Sequence, residues 1–272
     1  MPPPLLLVRI VGPLAGFLVL AMRPLPAQQS GVSMEELQKL LQNPIAQKIS
    51  FSYTNEFAYG PRSDSKTAYL GTFQPVIPFT AGPVSFISRP VLSFTRVQSG
   101  ETGQSFRGLG DLGYQLFLTP ARTRTVIFGA GPAFVFPTAT REAFGNGKWT
   151  AGPTAAMVVQ PGSLSIAVAA TNLWSYAGDH KRAHTNQLSL EYAVDYELGR
   201  GWSLATNPVI TDDWRGAAGE HWSVPVGGGV GKAYNGRVPV QFSILAYRNV
   251  ARPSFASSWS LQIVVTPVLV LK

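Results

Sequence analysis

The sequence predicts an all-β fold: a transmembrane, antiparallel up-and-down β-barrel of about 12 strands behind one short N-terminal helix. Three observations point there. Most of the chain alternates apolar and polar residues with a period of two, the alternating segments come in an even number, and their connections alternate between short and long.

Composition agrees. The 272 residues include 27 Gly, 22 Pro, 15 Phe, 9 Tyr and 6 Trp but only 13% charged residues, poor material for an α/β enzyme. The chain has no cysteine, which excludes disulfides, thiolate catalysis and Cys-ligated zinc.

Residues 1–27 read as a secretory signal peptide, with Arg9, an apolar run from Ile10 to Met22, and Leu25-Pro26-Ala27 before Gln28. Pro13 and Gly16 interrupt the run, which is shorter than the ~20 residues a membrane-spanning helix needs. Losing Arg9 and Arg23 lowers the net charge from +8 to +6. No Lys/Arg cluster with interleaved aromatics is present, so no nucleic-acid partner is expected.

Residues 28–47 form an N-terminal segment with a short helix over 33–42. Ser33 and Glu36 make a capping box, Leu37, Leu40 and Leu41 share a face, and Asn43-Pro44 stops the helix. It is expected at or in the inner mouth of the barrel, with a free periplasmic tail as the alternative.

The barrel itself is expected over 48–272. In QLSLEYAVDYEL, Leu188, Leu190, Tyr192, Val194, Tyr196 and Leu198 oppose Gln187, Ser189, Glu191, Ala193, Asp195 and Glu197. In VQFSILAY, Val240, Phe242, Ile244 and Ala246 oppose Gln241, Ser243, Leu245 and Tyr247. Segments of this kind fall at roughly 49–56, 66–79, 84–95, 108–118, 124–136, 148–159, 164–174, 184–198, 202–211, 221–233, 239–250 and 258–270. Short connections such as TAGP, QPGS and GRG alternate with longer polar ones. In an outer-membrane barrel the short turns are periplasmic, so both mature termini are expected in the periplasm and the protein in the cell outer membrane.

An aromatic girdle is expected from Trp149, Trp174, Trp214, Trp222 and Trp259 at outer strand ends and Trp202 at an inner end. A water-soluble β-sandwich would give similar strand spacing but no reason for Trp to gather beside one set of loops. The alternation turns Arg89, Asp111, Gln115, Gln187, Glu191, Asp195, Glu197, Asn207, Gln241 and Gln262 toward the lumen. Arg89 is expected to pair with a carboxylate such as Asp111. Pro75, Pro90, Pro132, Pro153, Pro208, Pro225 and Pro267 fall inside strands, where each removes a ladder donor; bulges are the expected accommodation.

The wording of several stretches is also specific. LQNPIAQKISFSYTN, LGTFQPVIPF, GLGDL, GAGPAFVFPTAT, GKWTAGPTAAMVVQPG, TNLWSYAGD, PVGGGVGK and LAYRNVARP resemble, in order as well as wording over about residues 41–272, a family of Gram-negative outer-membrane proteins labelled "transporter" or "neuromedin U". The family is similar to the barrels associated with phenol degradation. The resemblance implies a β-barrel with a transport role and supplies no substrate and no catalytic residues.

The motifs that suggest other chemistry fail in context. GLGDLG, residues 108–113, has the dinucleotide fingerprint, but a strand and turn follow it rather than a helix N-terminus, and no acid follows about twenty residues on. The Gly147-Lys148 and Gly231-Lys232 runs lack the preceding glycine of a P-loop, and Trp149 and Ala233 stand where a hydroxyl would hold magnesium. His180, His184 and His221 lie in or near outer loops without a third ligand, so no metal and no cofactor are expected. A membrane hydrolase would have to build on Ser175 with His180 or Ser223 with His221.

The reading is therefore a non-enzymatic, monomeric barrel that carries a small-molecule solute passively. Its partners are outer-membrane lipid and the barrel assembly machinery. A non-conducting structural or adhesive barrel acting through its loops is the first alternative, and an outer-membrane hydrolase the second.

Overall fold

The computed structural model describes residues 33–269 except 44, 47, 61–64, 100–103 and 122–125; the signal-peptide segment 1–27 lies outside the described residues. Helix α1 (Met34–Gln42) precedes fourteen strand segments: β1 (Ile49–Tyr59), β2 (Ser65–Ala81), β3 (Val84–Ser99), β4 (Ser105–Leu109), β5 (Leu112–Pro120), β6 (Val126–Phe136) and β7 (Lys148–Val159), then β8 (Leu164–Gly178), β9 (Asn186–Gly199), β10 (Trp202–Thr206), β11 (Val209–Asp213), β12 (Trp222–Tyr234), β13 (Val240–Ala251) and β14 (Trp259–Leu269). All neighbours are antiparallel, and β1 pairs with β14, so the sheet closes. β4 and β5 both lie along β3, and β10 and β11 both lie between β9 and β12. Each of those pairs is one wall position interrupted midway, and the barrel is twelve-stranded.

The period of two explains the wall. Phe73, Ile77, Phe79, Phe128, Met157, Ile166, Leu204, Val230, Ile244 and Ile263 stand exposed on the outside, while Thr154, Ser165, Thr171, Ser203, Ser243 and Ser260 are buried on the inside. Lipid takes the first set and the lumen the second.

The strand prolines follow a rule that the alternation alone does not reveal. The β2–β3 register runs to Phe73↔Leu92 and resumes at Ile77↔Ser88, which sets Pro75 against Pro90. Both missing donors then fall in one rung instead of two. Pro132 and Pro153 also face each other, and each interrupts the ladder on its far side, β5–β6 between Gln115 and Leu118 and β7–β8 between Ala151 and Thr154. Glycine precedes both prolines because a Cβ on Gly131 would overlap the Leu116 carbonyl oxygen, and one on Gly152 that of Asn172.

Candidate functional site

Helix α1 lies inside the lumen at the short-turn end. Ser33 caps α1 by accepting from the Glu36 amide at 3.1 Å while Glu36 Oε2 accepts from the Ser33 amide at 3.0 Å. Leu37 and Leu41 then pack on Ala233 and Val268 of the inner wall. Gln38 Nε2 donates to the Trp202 carbonyl at 3.3 Å, and Gln160 Nε2 to that of Lys39 at 2.8 Å. Past the helix, Ile45 enters an apolar cluster with Val76, Ile87, Phe117, Val158 and the small Ala156, Ala167 and Ala169. This fills one side of the barrel. Lys48, buried, donates to the carbonyls of Leu40 and Leu41, the latter at 2.7 Å, and so serves the unpaired end of α1.

On the other side a cavity of about 530 Å³ runs from Ala256 and Ser257 in the last long loop down to Leu41, Gln42 and Lys48. Its wall mixes hydroxyls and amides with Leu70, Val76, Leu245 and Val264. Of the predicted inward residues, Arg89, Glu191, Asp195, Asn207, Gln241 and Gln262 line it. Gln115 stands beside Arg89 in the register and donates to Thr171 Oγ1 at 3.0 Å. Glu197 lies near the plug, within electrostatic reach of Lys39, and Gln187 is at the far rim opposite Leu173 and Asp213.

Arg89 does not reach Asp111. Its Nη2 donates to Glu191 Oε2 across the lumen at 3.2 Å, and Gln74, with its amide oxygen turned to the guanidinium, accepts from Nε at 2.7 Å. The Phe117 ring lies 5.6 Å from the guanidinium carbon. Asp111 sits in the break between β4 and β5, where its carboxylate accepts from the amides of Ala139 at 3.0 Å and Asn146 at 2.7 Å. Thus GLGDLG is a wall break that anchors loop 137–147.

The second wall break borders the cavity. β12 pairs with β10 from Trp202↔Lys232 to Ala205↔Gly229 and with β11 at Thr211↔Ser223 and Asp212↔Trp222. Among the described residues, no ladder pair joins 206–210 to 224–228, the stretch that holds Pro208 and Pro225. One side chain bridges it from within. Tyr247 of β13, 4% exposed, reaches past the glycines 227–229 of β12: its hydroxyl donates to Asn207 Oδ1 at 3.0 Å and accepts from the Asn207 amide at 2.9 Å.

All six tryptophans are exposed, five of them at strand ends or beside them and Trp174 four residues short of the end of β8. Trp259 stacks on Tyr59 at 4.1 Å, Trp149 meets Phe136 edge-on at 5.6 Å, and Trp214 Nε1 donates to Asn172 Oδ1 at 2.8 Å. At the opposite end Lys232 lies 4.8 Å over the Trp202 ring. The hydroxyl–histidine arrangements differ from the expected ones. Ser175 Oγ meets His184 Nδ1 at 3.2 Å, not His180, and already accepts from the Thr185 amide. His221 bonds buried Asp212 at 2.6 Å. Among the described residues no group of three His, Asp or Glu is arranged to hold a metal ion.

Sequence reasoning overlooked Gln74, Glu56 and Lys48. Glu56 accepts from Gln262 Nε2 at 3.2 Å. The polar series Ser50, Ser52, Thr54, Glu56 carried the signal for it.

The chain matches, over residues 65–263, the sequence model of a family described as "Putative MetA-pathway of phenol degradation". It belongs to that family. Among solved structures, this family member is similar to an outer-membrane channel from Pseudomonas putida F1, at 16% identity and a TM-score of 0.63, covering 83% of this chain and 97% of that one. Weaker likenesses are to the NanC porin (11% identity, 81% and 100% covered, TM-score 0.46) and to the Pseudomonas putida toluene transporter TodX (10% identity, 84% and 92% covered, TM-score 0.42). No functionally curated protein matches it in sequence. The fold is that of an outer-membrane channel barrel.

Proposed function

We propose that this protein is a passive outer-membrane channel for a small, uncharged, partly apolar solute, with both mature termini in the periplasm. One observation carries the reading: the cavity of about 530 Å³ that leads from the long loops to the plug. That volume is in the range of pockets that hold drug-sized molecules. Its lining alternates Ser, Thr and Gln with Leu and Val, and its charges are of mixed sign, Arg89 paired with Glu191 and Lys48 set among Glu56 and Asp195. Without a ring of single-sign charge the lumen has no means of choosing anions or cations. A family described by phenol degradation fits a solute of this kind.

The axial path ends at α1, so a solute in the cavity faces either displacement of the plug or a sideways exit where the wall is unpaired between 206–210 and 224–228. Apolar material is suited to the second path, because the exit delivers it to lipid. The test is planar-bilayer conductance of the refolded barrel with and without residues 33–47. Low conductance that rises on deletion supports a plugged channel. A deletion barrel that is folded, heat-modifiable on gels and electrically silent rejects it.

A further inference from the structure

The hairpin of β3 and β4 places Arg96 and Arg107 directly opposite each other, and both are exposed. Their side of the wall follows from the register. Arg89 lines the lumen and faces Gln115, while Thr95 pairs with Leu70 and Ser93 with Thr72, both cavity residues, so the even-numbered residues of β3 point outward. On that outer face Phe94 pairs with Leu109, and Arg96 stands beside Tyr69. A third guanidinium reaches the free edge of β4: Arg141 Nε donates to the Arg107 carbonyl at 3.1 Å. Among the described residues no carboxylate forms an ion pair with any of the three.

Like charges directly opposite in an antiparallel ladder repel. The repulsion is relieved when an anion lies between them, and the position of the pair selects the anion. Phe94 and Leu109 form apolar wall, and the arginines stand one step further toward the long loops, level with the amphipathic ring of Tyr69, as at a boundary where hydrocarbon gives way to headgroups. The planar guanidinium fork binds phosphate oxygens in pairs. We propose that Arg96, Arg107 and Arg141 form a docking surface for the phosphates of the outer leaflet's phosphorylated glycolipid, the lipid A of lipopolysaccharide. This rests on the long loops facing outward and is independent of what the lumen carries.

The test uses the full mature barrel, refolded free of lipopolysaccharide and titrated in detergent with diphosphorylated lipid A, enzymatically dephosphorylated lipid A, inorganic phosphate or phosphatidylglycerol. Diphosphorylated lipid A is expected to bind and to raise the temperature of the gel-mobility transition. R96Q/R107Q should bind it about 25-fold more weakly, roughly fivefold per arginine. Arg141→Gln, a loop substitution that leaves the hairpin intact, should lose about fivefold and keeps the test decisive if the double variant does not fold. Equal binding of dephosphorylated lipid A, an equal effect of inorganic phosphate or phosphatidylglycerol, or unchanged affinity in R141Q overturns the proposal. Bilayer conductance of R141Q, measured alongside, reports on the lumen separately.

Discussion

Arg89 and Glu191 join opposite walls of the barrel, one on β3 and the other on β9, with β5, β6, β7 and β8 between them in the sheet. The guanidinium is 3% exposed and the carboxylate 36%, so the pair is a crossbar between the filled side of the lumen and the open one. Removing the carboxylate leaves a buried cation without its counter-charge. Glu191→Gln is expected to destabilise the barrel by about 1–3 kcal/mol, less than a fully buried pair would lose because water reaches Glu191. R89Q/E191Q should recover part of that loss, since neither charge is then stranded. Urea titration of the refolded variants, followed by gel mobility, measures the cycle; strictly additive losses would mean that the two residues act independently.

Tyr247 and Asn207 predict how the unpaired wall is held. The tyrosine hydroxyl both donates to and accepts from Asn207, spanning a strand that is glycine at 227–229. Tyr247→Phe keeps the ring and removes both bonds, at about 1 kcal/mol each at most. Passage of an apolar dye into proteoliposomes should then quicken while ion conductance along the axis stays at the wild-type level. Unchanged dye flux would assign Tyr247 to packing alone.

The strands, the number of wall positions and the helix were legible because each rests on local signals: a period of two, a capping box, and turns with Gly and Pro. Parity carries along a strand from one residue to the next, and Arg89, Glu191, Asp195, Asn207, Gln241 and Gln262, chosen by it, line the cavity. What parity does not contain is distance across the lumen. Asp111 and Glu191 both read as inward carboxylates, yet only Glu191 stands opposite Arg89, and that depends on how the barrel closes. The prolines were visible but unexplained for the same reason: Pro75 and Pro90, or Pro132 and Pro153, become pairs only when two strands are in register.

Gly152 tests that account of the prolines. It precedes Pro153 and faces a neighbouring backbone so closely that a Cβ would overlap the Asn172 carbonyl oxygen. Gly152→Ala should therefore cost about 1–3 kcal/mol through backbone displacement, with a matching drop in refolding yield. Gly162→Ala is the control for crowding, because nothing lies near its Cβ position, although its positive φ of 56° carries a smaller strain. If the two variants refold alike, close approach of the strands is not what places glycine before proline.

Lys48 makes docking of the plug depend on pH, with a definite sign. Burial pushes its ammonium from an ordinary value of 10.5 down to about 7, against the opposing pull of Asp195. The docked segment thus prefers the neutral amine, which still has N–H groups for the Leu40 and Leu41 carbonyls. A lysine released with the segment returns to its ordinary value. The contribution of Lys48 to docking is then fully present above pH 10.5, weakens as pH falls through the interval, and changes no further below about 7, where Lys48 is protonated in both states. Axial conductance should be higher at pH 6.5 than at pH 10. Lys48→Met removes the titrating lysine, and the rise in conductance between pH 10 and about pH 7 should be lost. Asp195→Asn removes the charge that favours the ammonium, so its plug should open more readily than the wild type's at neutral pH. A wild-type conductance that rises with pH, or a K48M variant that keeps the wild-type profile, would place the sensor elsewhere.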